Sequence, residues 1–156
     1  WLEMECERKG IRMGWMRIFY AYGPRQRSVS LVPSILNSLQ EGKTPQLRTP
    51  LNANDFVYVD DVAEAFSKAV SQNVPSGIYH LGSGISTQVL EVCRIADRLV
   101  NNSEVITRQL ENETAGTACT LNFWADCAQA CNVLNWSPVT TLQAGIKQTY
   151  QYLKKR

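Results

Sequence analysis

The stretch Trp15 to Gln26, WMRIFYAYGPRQ, limits what this chain can fold into more than any other. Between Trp15 and Tyr22 only Arg17 interrupts a run of apolar and aromatic side chains. A run this short and this rich in β-formers reads as a strand buried on both faces, not as an amphipathic helix. Gly23-Pro24 ends it, because proline cannot donate to a strand ladder and glycine permits a sharp exit. A polar segment, Arg25 to Ser28, then leads into a helical pattern. In open α/β sheets ligands sit beyond the carboxyl ends of the strands. This end of the strand is therefore where a cofactor and a substrate are expected.

The rest of the chain alternates between the two hydrophobic periods. Val29 to Gln40 puts Leu31, Val32, Ile35, Leu36 and Leu39 on one helical stripe, with Pro33 in the first turn and Gly42 closing it. Phe56 to Val59 reads as a strand. Asp60 follows as N-cap of a helix Val62 to Ser71, with Val62, Phe66, Ala69 and Val70 as its buried stripe. Ile78 to Leu81 is the next strand, and Ser86 caps a helix with a broad apolar face from Val89 to Val100. Glu104 to Thr107 reads as a short strand, Glu111 to Asn122 as a loop, and Ala125 to Leu134 as a helix. Thr140 or Thr141 caps a last helix carrying Leu142, Ile146, Tyr150 and Leu153 on one side. Strand and helix in alternation imply an α/β fold. Residues 1 to 10 read as the end of a helix, with basic residues in its last turn and Gly10 at C′. Without an initiating methionine or a capping residue, that helix reads as beginning upstream.

Charge and cysteine usage exclude several classes. A net charge of +2 without a clustered basic face gives no footprint for nucleic acid. No apolar run reaches membrane-spanning length. The five cysteines, Cys6, Cys93, Cys119, Cys127 and Cys131, show no compact spacing pattern. Free thiols in a reducing compartment, the cytoplasm, are expected. Cys127 and Cys131 lie one helical turn apart, but with one histidine in the chain they read as small buried apolar residues, not as zinc ligands. Asp60 and Asp61 stand together before a helix, where negative charge is already favoured, so capping and not acid/base chemistry is expected of them.

Four short motifs in a fixed order also carry a resemblance. They are Met16-Arg17-Ile18-Phe19-Tyr20-Ala21-Tyr22-Gly23-Pro24-Arg25-Gln26, then Asn54-Asp55-Phe56-Val57-Tyr58-Val59-Asp60-Asp61-Val62-Ala63. Ile78-Tyr79-His80-Leu81-Gly82-Ser83-Gly84 and Leu134-Asn135-Trp136-Ser137-Pro138 follow. Together they resemble the extended short-chain dehydrogenase/reductases, the NAD-dependent epimerase/dehydratase family acting on nucleotide-linked sugars. That family's Gly-rich fingerprint and Tyr-x-x-x-Lys pair belong before this strand and are not in the chain. Gly82-Ser83-Gly84 has no third glycine and reads as a tight turn.

The resemblance implies the carboxyl-terminal part of a Rossmann-like doubly wound fold plus a small mixed α/β substrate-binding lobe. Residues 11–42 and 72–100 would supply late Rossmann strands and helices, and 43–71 and 101–156 the lobe. It implies NAD or NADP as cofactor in the intact enzyme, a nucleotide-sugar substrate, and a missing amino-terminal Rossmann half holding the catalytic groups upstream of Trp1. Ile18, Phe19 and Tyr22 would bind cofactor. Tyr20, Arg25, Gln26, Lys43, Asn54 and His80 would bind substrate. Tyr20 and Asn54 depart from the family's usual asparagine and arginine; the latter pairs with the substrate diphosphate, a role neutral groups fill poorly. His80 stands where asparagine is common, and a hydrogen bond to a neighbouring loop is expected of it. A strand such as Trp15 to Tyr22 expects neighbours on both edges, so the isolated chain should be unstable or dimerise. A non-catalytic sensor or scaffold that lost phosphate-binding residues is the alternative.

Overall fold

The computed structural model describes residues 1–155. In chain order the elements are α1 (Leu2–Arg8), β1 (Gly14–Ile18), β2 (Tyr20–Tyr22), α2 (Leu31–Gln40), β3 (Ala53–Tyr58) and α3 (Val59–Ser71). β4 (Gly77–Leu81), β5 (Ser86–Gln88), α4 (Val89–Asn101), α5 (Val105–Glu113), α6 (Ala128–Leu134) and α7 (Leu142–Lys154) complete it. The long apolar run is thus two strands broken at Phe19, and the break lets one extended segment serve two sheets. β1 pairs in parallel with β4, Gly14 opposite Gly77 through Ile18 opposite Leu81. β2 pairs in parallel with β3, which also pairs antiparallel with β5. Parallel neighbours joined through a helix, as β2 and β3 are through α2, make the fold mixed α/β, as the alternation predicts.

Burial on both faces does not hold for this run. Trp15, Ile18 and Tyr20 are 50%, 44% and 50% exposed. β1 has β4 along one edge and no partner along the other among the described residues. Apolar β-formers suffice to make the strand, but only neighbours can bury it. The same open edge explains α3. Its predicted stripe fails at Phe66 and Val70, 42% and 83% exposed, which border a cleft with Gly14 and Met16 beside β1. The helix buries Asp61, Val62 and Ala65 instead.

Three further expectations are corrected by tertiary contacts. Asp60 is not an N-cap: α3 starts earlier, from Tyr58, and both aspartates lie in its first turn. The Asp61 carboxylate is buried and accepts from Thr140 N and Oγ1, both at 3.1 Å. Ser86 begins β5 and does not cap α4, because residues 86–88 pair with Ala53 to Asp55. Residues 104–107 are not a strand: α5 begins at Val105, and Thr107 donates its N–H and Oγ1 to the buried Asp97 carboxylate. A run of Val105, Ile106 and Thr107 favours extended backbone only weakly, and this anchor overrides it.

The core falls into two clusters. One joins Tyr22, Phe56 and Tyr58 to α2, α4, α5 and α7; the other joins Val57 and β4 to α3 and α6. The last helix follows its pattern closely. Thr141 caps α7, its hydroxyl accepting from Ala144 N at 3.2 Å. Thr141→Ala should cost about 1 kcal/mol, a fall of about 3 °C in Tm, read by circular dichroism melting.

Candidate functional site

Phe19 is the hinge of the site. Its N–H donates to Leu81 O at 3.0 Å, which ends the β1–β4 ladder, and its carbonyl accepts from Ala21 N at 2.8 Å as the chain swings into β2. Alternating side chains of the broken strand therefore emerge at the carboxyl end of the β1–β4 sheet, where α/β folds hold ligands. Ile18, Phe19, Tyr20 and Phe123 line an open apolar cleft of about 330 Å³. The Phe19 ring lies 5.8 Å from His80, edge-on, and 5.9 Å from Phe123. Tyr20 lies 5.9 Å from Phe56 and 6.1 Å from Phe123.

Tyr20 also borders a second, more polar cavity of about 430 Å³, whose lining includes Gln46, Leu47, Arg48, Asn52 and Asn54. Asn54 is 6% exposed, and its Oδ1 has no hydrogen-bond partner among the described residues. Ile18, Phe19, Tyr20, His80 and Asn54 are thus brought to one region. Gln26 lies close behind it, Nε2 donating to Ala21 O at 2.9 Å. Arg25 is exposed, with left-handed backbone at φ 67°.

Two predicted residues do not join the group. Tyr22 is buried in the core, its hydroxyl donating to Leu142 O at 3.2 Å; burial raises its pKa far above the usual phenol value. Lys43 is exposed and paired with Glu41 at 2.7 Å, while its neighbours Gln46 and Leu47 do reach the polar cavity. His80 meets the Phe19 ring in place of the loop hydrogen bond expected for it.

The residue that sequence reasoning missed is Asp55. It is fully buried, and its carboxylate collects four donors. Oδ1 accepts from Ser83 N and Ser83 Oγ, both at 2.6 Å; Oδ2 accepts from Gly84 N and Ala125 N, both at 2.9 Å. Asp55 thereby ties β3 to the turn after β4 and to the loop that carries Phe123. Gly82 is required by this close approach: a Cβ there would stand 2.5 Å from Asp55 Oδ2 and 2.5 Å from Ala125 Cβ. The available signal was an aspartate inside a run of strand-forming residues, since buried carboxylates need partners.

Two of the five free thiols, Cys93 and Cys127, are buried. Cys127 donates to Gly82 O at 3.4 Å, and burial pushes its thiol up to about 11. Burial does the same to Cys93, also to about 11. Both stay protonated near neutral pH and behave as small apolar residues. Among the described residues no group of three His, Cys, Asp or Glu side chains could hold a metal ion. No helix among them is long and apolar enough to cross a membrane.

Known proteins share this arrangement of elements. The profile of the NAD dependent epimerase/dehydratase family matches residues 1–82, and the chain belongs to that family. It is 27% identical over 150 residues to the UDP-glucuronate 4-epimerase of Thermodesulfobacterium geofontis (strain OPF15), across 94% of this chain and 44% of the relative. It is 24% identical over 137 residues to the dTDP-D-glucose 4,6-dehydratase of Mus musculus, across 86% of this chain and 39% of the relative. Among solved structures, the dTDP-glucose 4,6-dehydratase of Bacillus anthracis in complex with NAD matches with a TM-score of 0.80 at 18% identity. That match covers 98% of this chain and 48% of that one. The UDP-glucose 4-epimerase of Thermotoga maritima with UDP-glucose matches with a TM-score of 0.79 at 20% identity, covering 99% and 50%. These two structures share the fold. The chain spans about half the length, or less, of the relatives it matches.

The family uses NAD, and the apolar cleft can be tested against that group. Ile18 and Phe19, with open space before them, fit one face of a flat nicotinamide ring. Among the described residues no cation and no helix N-terminus lines that cleft, so they offer nothing there for a pyrophosphate.

Proposed function

We propose that this chain is the substrate-binding part of an NAD(P)-dependent enzyme that moves a hydride at a carbon of a nucleotide-linked sugar, as an epimerase, a dehydratase or a 4-ketoreductase. The observation that carries this reading is the junction at Tyr20. It joins an open apolar cleft to a cavity of about 430 Å³ whose lining mixes apolar side chains with Gln46, Arg48, Asn52 and Asn54, the size range of small-ligand sites. Bound nicotinamide supplies the hydride acceptor. Ile18 and Phe19 shape one wall against its ring, and Phe123 shields that wall from water. Tyr20 presents its hydroxyl where the two spaces meet and orients the sugar. Asn54, Arg25, Gln26 and His80 complete the substrate side. The family's tyrosine and lysine, outside residues 1–156, move the proton in a Rossmann half that also covers the free edge of β1. On this reading the 156-residue chain, working in the cytoplasm, has no turnover of its own.

One observation favours the second reading, a non-catalytic sensor or scaffold: a neutral Asn54 stands where the family's diphosphate-pairing arginine is usual. A single experiment separates the two. The native polypeptide carrying these residues is incubated with NAD and a panel of UDP- and dTDP-hexoses, and the sugars are followed by NMR. A 4-keto or C4-epimerised product supports the enzyme; saturable binding with no product supports the sensor. In the enzyme, Tyr20→Ala should lower kcat/KM by about 10- to 100-fold, the loss of one aromatic contact and one hydrogen bond.

A further inference from the structure

Two buried side-chain oxygens have no hydrogen-bond partner among the described residues, Gln26 Oε1 and Asn54 Oδ1. Of the two residues, Asn54 borders a cavity, the polar one beside Tyr20. A buried acceptor left without a donor destabilises a fold, so such an atom points to a group that arrives from outside. The oxygens of a diphosphate at neutral pH carry no donor to offer it. A hydroxyl does. The charge in the same cavity is placed elsewhere: Arg48, exposed at the rim, is the one charged side chain in its lining. A guanidinium is suited to a phosphate, which it can hold through two parallel hydrogen bonds.

We propose that Asn54 Oδ1 accepts a hydrogen bond from a hydroxyl of the bound nucleotide sugar, and that Arg48 holds its diphosphate. Hydroxyl and anion are then read by different segments, β3 and the connection after α2. The cavity thus takes a neutral, hydroxylated moiety inward and an anionic one at its mouth. This assignment rests on the nucleotide-sugar reading above and specifies how the ligand lies within it.

Charge at position 54 is the discriminating variable, because a carboxylate accepts from a hydroxyl but repels a phosphate. Calorimetric titration of the native polypeptide with UDP-glucose should show Asn54→Asp binding within about threefold of the parent, and Asn54→Leu weaker by about 10-fold or more. Arg48→Gln should weaken UDP-glucose and UDP alike by about 10-fold and flatten the dependence on salt. Asn54→Asp losing affinity by about 10-fold or more, with its melting temperature unchanged, would place the amide on the phosphate and overturn the assignment. Arg48→Gln binding like the parent would overturn it too, and that variant, at an exposed position, serves even where Asn54→Asp does not fold. A parent polypeptide that binds neither UDP-glucose nor dTDP-glucose removes the nucleotide-sugar reading itself.

Discussion

Replacing Asp55 with alanine should lower the unfolding free energy by about 3–5 kcal/mol, the range for removing one partner from a buried charged network. For a chain of this length that is a fall of roughly 10 °C in Tm. The carboxylate is fully buried and meets three backbone N–H groups and one hydroxyl at 2.6–2.9 Å. Alanine leaves the three backbone N–H donors without an acceptor, leaves the Ser83 hydroxyl only its 3.3 Å contact to Ile85 O, and opens a hole between β3, the Gly82 turn and the Ala125 loop. Asp55→Asn keeps one accepting oxygen but turns an NH2 group toward another donor, so it should lose roughly half as much. The effect reaches the site because the Ala125 loop carries Phe123, which forms one side of the apolar cleft. Thermal and urea unfolding of the two variants measure the series. An alanine variant that melts with the parent would show that water replaces the carboxylate without cost.

Gly145→Ala should be a damaging small change away from the site, with a net loss of up to about 2 kcal/mol. A Cβ at this position would stand 2.2 Å from Tyr22 Oη, 2.7 Å from Tyr22 Cζ and 2.8 Å from Tyr58 Cδ2. The rings have little room to yield. They pack 5.7 Å apart at 67°, Tyr22 bonds Leu142 O, and Tyr58 donates to Gln148 Oε1 at 2.9 Å. Alanine is favoured over glycine inside a helix by about 1 kcal/mol. Overpacking of a rigid core costs up to about 3 kcal/mol, and here it outweighs the propensity gain. Tyr22→Phe removes the nearest atom, so the double variant should be more stable than the sum of the single losses predicts. Additive losses in a double-mutant cycle would show that α7 moves away from the sheet and the rings stay still.

Much of the site was legible because it lies on one continuous stretch. Ile18, Phe19 and Tyr20 are consecutive, but the cleft they line opens at the break at Phe19 and not at Gly23-Pro24, where Tyr22 and Gly23 are buried. Asn54 was legible only as a departure from a familiar motif; its empty oxygen is a property of the cavity. Tyr22 could not be separated from Tyr20 by pattern, since alternation along a strand assigns both to the same face. What divides them is the crossing of α7, which covers one and leaves the other open. Asp55 was passed over because its four partners come from residues 83, 84 and 125, far along the chain. Local propensity also erred at Val105 to Thr107, where the buried Asp97 decides for helix.

By itself the sequence determined where most strands and helices form, the alternation that makes the fold α/β, and the stretch that contributes Ile18, Phe19 and Tyr20 to the candidate cleft. Those properties follow from side-chain period and from glycine and proline chemistry, which act over a few residues. Tertiary structure alone decided that the long strand breaks at Phe19 to serve two sheets, that Phe66, Val70 and Trp15 stay open beside β1, and that Asp55 is the knot behind the site. Those depend on which distant backbone donors and which neighbouring strand edges arrive at each residue, and no local period encodes that.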